Sequence, residues 1–122
     1  MVIALPVNDN SVESGICCSF GRAPYFLIFD TKSKASLFLE NYAIQEQEGA
    51  GIKAAQMIVD NRVDALLTPR CGENAARVFK TANIILYKTI TDSVNDNIAA
   101  FQKNQLSVLS QTHAGFHGHN GE

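Results

Sequence analysis

The sequence predicts an α/β fold: one five-stranded mixed sheet with helices on its faces. Three observations lead there. Five short apolar runs, at 2–7, 25–30, 35–40, 64–68 and 84–87, have the length and the β-branched or aromatic content of strands. Two of them, 25–30 and 35–40, are separated only by Thr31-Lys-Ser-Lys34, a hairpin connection that makes them antiparallel. The last two alternate with stretches of helical period, which need right-handed crossovers and therefore parallel neighbours. The chain order is then β-β-β-α-β-α-β-α.

Each element has its own signature. Val2-Ile-Ala-Leu-Pro-Val7 is a continuous apolar run suited to a buried strand, with Pro6 weakening its end. Residues 8–24 form a link with neither helical nor alternating pattern, and links this long in a compact domain tend to be functional. Tyr25–Asp30 and Ala35–Glu40 are the next strands, and 41–48 reads as extended loop. Gly49-Ala-Gly51 opens a helix running to about Asn61, with Ile52, Ala55, Ile58 and Val59 on one face. Asp64–Thr68 reads as a short central strand stopped by Pro69. The next helix places Ala75, Val78, Phe79 and Ala82 at i, i+3, i+4 and i+7. Ile84–Tyr87 is the last strand. Thr91 or Asp92 is placed to cap a final helix whose inner face is Val94, Ile98 and Phe101. One domain, residues 1–105, is expected to be followed by a flexible His-containing tail, 106–122.

Composition narrows the function classes. With 122 residues, 46 % hydrophobic and 18 % charged, the chain suits a single globular domain with its own core. A net charge of −2 gives no basic field for nucleic acid. No apolar run approaches the ~18 residues of a membrane helix. Met1–Pro6 is too short and uncharged for a secretory signal, so a cytoplasmic location without membrane partners is expected. Three cysteines, two of them adjacent, exclude a full disulfide framework. Reduced thiols in that compartment are structural, metal-binding or redox-active.

The chemistry concentrates on two loops. In an open α/β sheet, ligands sit outside the carboxyl ends of the strands. The first strand ends at the link carrying Cys17, Cys18 and Arg22; the fourth ends at Arg70-Cys-Gly-Glu-Asn74. The helices nearby open on Gly49 and Gly51 and on Gly72, and free N–H groups at a helix start favour an anion. Arg22, Arg70 and Lys53 add positive charge, so an anionic ligand is expected. Taken alone, the glycines need only be turn residues. Cys17 and Cys18 point opposite ways in extended chain, so both cannot easily hold one tetrahedral metal. Cys71, between Arg70 and a helix start, is expected to have a lowered pKa. Each cysteine is equally readable as a small buried hydrophobe. His113, His117 and His119 are candidate metal ligands in the tail, although Gly115 and Gly118 oppose a helix there.

Phe20-Gly-Arg-Ala-Pro-Tyr-Phe26, the Gly49–Ile52 helix start and Cys71-Gly-Glu-Asn-Ala75 resemble the NifX/NafY-like family of dinitrogenase iron–molybdenum cofactor biosynthesis domains, over about residues 1–105. The resemblance implies a three-layer α/β/α, ribonuclease-H-like fold. It implies a non-enzymatic carrier of an anionic metal–sulfur cluster or its precursor, iron–sulfur or molybdenum-containing, with or without copper. Similar in size within that family is the orange protein of sulfate reducers, which holds a molybdenum–copper sulfide cluster non-covalently. Joined to the two-loop reading, the resemblance gives a binding set of Cys17, Cys18, Ser19, Phe20, Gly21, Arg22, Gly49, Gly51, Arg70, Cys71, Gly72 and Asn74. Cys18 facing Cys71 is its expected metal pair. Ser19 stands where family members commonly have His, and a hydroxyl is a poor ligand for a soft metal. Glu73 stands where many have Pro. Implied partners are cluster-assembly or P-loop ATPase proteins, with the chain a monomer or homodimer. Two other functions compete: a sulfur-relay or redox protein using Cys71 or Cys18, and a regulatory interaction module without metal. Nuclease action by fold analogy is discounted, because the first strand lacks the carboxylate that metal-dependent chemistry needs.

Overall fold

The computed structural model describes residues 1–46 and 48–109. Five strands form one sheet: β1 (Val2–Val7), β2 (Tyr25–Asp30), β3 (Ser36–Glu40), β4 (Ala65–Thr68) and β5 (Ile85–Lys88). Three helices follow the last three strands: α1 (Ala50–Asp60) after β3, α2 (Glu73–Thr81) after β4 and α3 (Val94–Gln102) after β5. The spatial order is β3-β2-β1-β4-β5. β1 pairs antiparallel with β2, from Val2↔Asp30 to Val7↔Tyr25, and parallel with β4 at Ile3↔Ala65. β1 therefore occupies the centre, not the Asp64–Thr68 strand. Its pairing with β4 stops at Ala4↔Leu66, so Pro6, which has no N–H, falls beyond that ladder.

Period-2 alternation divides the strands between two cores. Ala4, Phe26, Ile28, Leu66 and Leu86 pack under α1 and α2. Ile3, Leu5, Val7, Leu27 and Leu67 pack against α3 through Val94 and Ile98. The result is three layers, with α1 and α2 on one face of the sheet and α3 on the other.

Four local expectations are corrected. Ile52 is 43 % exposed, and Ala54 takes its place beside Ala55 and Ile58, because the buried stripe of α1 is centred on these three residues and Ile52 falls to one side of it. Short 3-10 turns occupy Val12–Ser14, Phe20–Arg22 and Tyr42–Gln45, inside segments expected to be irregular. Ser93, not Thr91 or Asp92, caps α3: its hydroxyl accepts from the Asp96 N–H at 3.1 Å. The chain also stays attached beyond 105. Leu106 is buried, Val108 bridges Tyr87, and Leu109 N–H donates to the Leu86 carbonyl at 2.8 Å. The free edge of β5 recruits these residues because its unpaired backbone groups need partners.

Candidate functional site

The link after β1 is folded back on the strand it leaves. Cys17 N–H donates to the Pro6 carbonyl at 2.9 Å, and Ile16 N–H to the Asp92 carbonyl at 2.8 Å. Gly15 makes the reversal at φ +89° and ψ 163°, a region essentially reserved to glycine. The next residues alternate: Cys17 is buried against the α1–α2 core and Cys18 is exposed. Phe20 then anchors the turn. Its ring is 1 % exposed, stacks on Phe26 at 5.0 Å and meets Phe79 edge-on at 5.2 Å.

That anchor presses the Phe20–Arg22 turn onto the start of α1. A Cβ on Gly21 would lie 3.4 Å from the Gly51 Cα, so the two backbones touch without side chains between them. A Cβ on Gly51 would in turn lie 3.8 Å from Ala75 Cβ, in the first turn of α2. Three stretches separated in sequence therefore meet at Gly51. Each is one of the segments that sequence reading singled out.

Both helix starts at this junction lack a side-chain cap. Gly49 enters α1 at φ +76°, and Gly72 enters α2 in extended conformation. By contrast, α3 is capped by Ser93. The first-turn N–H groups of α1 and α2 and the positive ends of their dipoles thus lie side by side, which suits an anion. Arg22 is exposed, and its Nη1 donates to the Ile44 carbonyl at 3.4 Å. Arg70 is exposed as well, with its carbonyl taking a hydrogen bond from Thr68 Oγ1 at 2.9 Å. Lys53, the third cation expected at this rim, pairs with Glu46 at 2.8 Å. Glu73 is turned to Arg77, 3.5 Å away, and Asn74 Oδ1 accepts from the same guanidinium at 2.9 Å. The carboxylate beside the α2 start is thereby partly compensated.

The thiols depart from expectation. Cys71 is 1 % exposed, and burial pushes its pKa up to about 12 instead of lowering it. Desolvation outweighs the helix start because the sulfur lies inside the core, where its Sγ donates to the Gly72 carbonyl at 3.5 Å. Of the expected metal pair, Cys18 is exposed and Cys71 is buried. Among the described residues, no group of three or more His, Cys, Asp or Glu is assembled to hold a metal ion. His113, His117 and His119 lie outside the described residues.

Asn41 is the site residue that sequence reading missed. It is 1 % exposed, donates to the Ala23 carbonyl at 2.8 Å and to the Gly21 carbonyl at 3.4 Å, and accepts from the Ala43 N–H at 3.0 Å. It ties the Phe20–Arg22 turn to the Tyr42–Gln45 turn. The available signal was an Asn opening a polar stretch, a common capping position. We expect Asn41→Ala to lose about 1–3 kcal/mol in urea unfolding, because buried carbonyls lose their donor. A change below experimental error would show that water replaces the amide.

Taken together, fold and junction define a small three-layer α/β protein in which two uncapped helix starts and a glycine-containing turn meet at Gly51. The family of dinitrogenase iron-molybdenum cofactor proteins matches residues 1–104, and this chain belongs to that family. An uncharacterized protein of Methanocaldococcus jannaschii is 31 % identical over 109 residues, covering 87 % of this chain and 89 % of that one. Among solved structures, the apo form of the orange protein from Desulfovibrio gigas superposes with a TM-score of 0.85 at 24 % identity, covering 89 % of this chain and 92 % of that one. An NMR structure of a Thermotoga protein, described as a NifB candidate, has a TM-score of 0.81 at 30 % identity, covering 93 % and 97 %.

Proposed function

We propose that this protein is a non-enzymatic carrier of an anionic metal–sulfur cluster or its precursor. The observation behind this is the meeting of two uncapped helix starts with the Phe20–Arg22 turn at Gly51. In this reading the cargo's negative charge is held by first-turn N–H groups of α1 and α2, with Arg22 and Arg70 near the rim. Cys18, the one exposed cysteine, supplies a thiolate; Cys17 and Cys71 are packing residues. Retention by N–H groups and charge suits a chain that has Ser19 where the family resemblance implies a histidine. The layer order also supports placing the fold in the ribonuclease-H-like group. Cluster-assembly proteins and P-loop ATPases are the partners this reading implies, in the cytoplasm.

Anaerobic reconstitution tests it. The full chain is loaded with iron and sulfide, or separately with thiomolybdate and copper, and desalted. A chromophore that co-elutes under one condition is expected. Colourless protein under both overturns the proposal. Cys18→Ala then separates the ligands: weakened retention assigns the thiolate a role, and full retention assigns the cargo to the N–H cradle alone.

A further inference from the structure

The two edges of the sheet are treated differently. The β5 edge is closed by residues 107–109 of the same chain. The β3 edge has no strand partner among the described residues. Its backbone presentation follows from the β2–β3 ladder. Asp30 N–H donates to the Ala35 carbonyl and Asn41 N–H to the Pro24 carbonyl, each at 2.9 Å. Hydrogen-bonded pairs alternate with non-bonded pairs in an antiparallel ladder. With the register Ile28↔Leu37 and Phe26↔Leu39, Leu37 and Leu39 bond to β2, and Ser36, Phe38 and Glu40 turn their N–H and C=O groups outward.

Side chains along this edge carry a further pattern. Leu37, in the middle, is 53 % exposed. Lys34 and Glu40 are both exposed and lie three residues to either side of it. An edge guarded by charge of one sign repels its own copies. This one carries a cation at one end and an anion at the other, so an antiparallel copy is complementary to it.

We propose that β3 pairs with β3 of a second copy across a two-fold axis at Leu37, joining two sheets into one. In that register Ser36 faces Phe38 of the second copy, and both are outward-bonding positions. Leu37 meets its own counterpart at the closely spaced non-bonded position. Lys34 meets Glu40 of the second copy at each end. Lys34 stands at φ +67°, which ends the strand, so it contributes its side chain alone. A register centred on Phe38 also satisfies the backbone, but it sets Glu40 against Ser36 and leaves the lysine unmatched. Charge selects the Leu37 axis. The dimer is small and dissociates on dilution, as expected of a short interface. It is independent of whether a cluster is carried.

Sedimentation of the full chain from about 1 μM to about 1 mM tests this, a range that spans weak association. The mass should rise from one chain toward two. Glu40→Lys should hold the chain monomeric, and Lys34→Glu combined with Glu40→Lys should restore the dimer. An equimolar mixture of the two single variants should form a heterodimer. Because both residues are exposed, unchanged melting at low concentration confirms that the variants fold. Amide exchange gives the register: Ser36 and Phe38 should slow with rising concentration while Leu37 and Leu39 do not. A single-chain mass throughout, a dimer indifferent to Glu40→Lys, or protection confined to other strands overturns the proposal.

Discussion

Phe20→Ala should cost about 3–5 kcal/mol, the range for emptying a buried phenylalanine site. The ring is 1 % exposed and touches two other aromatics, Phe26 of β2 and Phe79 of α2. Its removal leaves a void between sheet, turn and helix. Aromatic pairs add about 0.5–1.5 kcal/mol beyond area burial, so the upper part of the range is expected. The loss also frees the Phe20–Arg22 turn, which then depends on Asn41 for its position. Urea unfolding should show a lower midpoint with an unchanged slope. Phe20→Leu should recover part of the stability. A loss under about 1 kcal/mol for the alanine variant would mean the ring does not anchor the turn.

Cys71 should make the protein lose stability in alkali. Its pKa rises from 9.0 to about 12 on folding, because burial disfavours the thiolate. Below pH 9 the thiol is protonated in both states and contributes no slope. Between the two values the unfolded chain gives up the proton and the folded chain keeps it. The unfolded state then binds fewer protons, and stability falls with rising pH by about 1.4 kcal/mol per unit. Above the folded value both states are ionised and the slope disappears. Cys71→Ala abolishes this contribution, so the difference between wild type and variant should narrow steadily from about pH 9 to about pH 11. Parallel stability curves over that interval would place the thiol in contact with solvent. The same burial leaves Cys71 protonated at neutral pH, which removes the basis for treating it as a nucleophile.

Periodicity made the strands, the hairpin and the three helices legible, because alternation and helical spacing report which face meets a core. It read β1 as buried but not as central, since strand order depends on which crossovers are made, and that is decided by tertiary packing. The site was legible as residue types on loops. Gly21 approaches the Gly51 backbone, with Ala75 next to Gly51, and no spacing along the chain announces a contact between residues so far apart. Cys71 misled because charge and dipole are visible in a sequence whereas depth is not. Asn41 was overlooked for the same reason: a buried, fully bonded amide looks like any loop asparagine.

Gly51 has a consequence for the order of events in folding. The cradle exists only where residues 20–22, 49–51 and 72–75 have come together, and these close long loops of chain. An unfolded or half-folded chain owns each piece and lacks the whole. Any anion that binds there is bound by the native state alone, and occupancy is thermodynamically linked to folding. At a free ligand concentration a hundredfold above Kd the linkage adds about 2.7 kcal/mol to stability. A loaded molecule is therefore harder to unfold or digest than an empty one, and heat or protease resistance becomes a measure of loading that needs no colour.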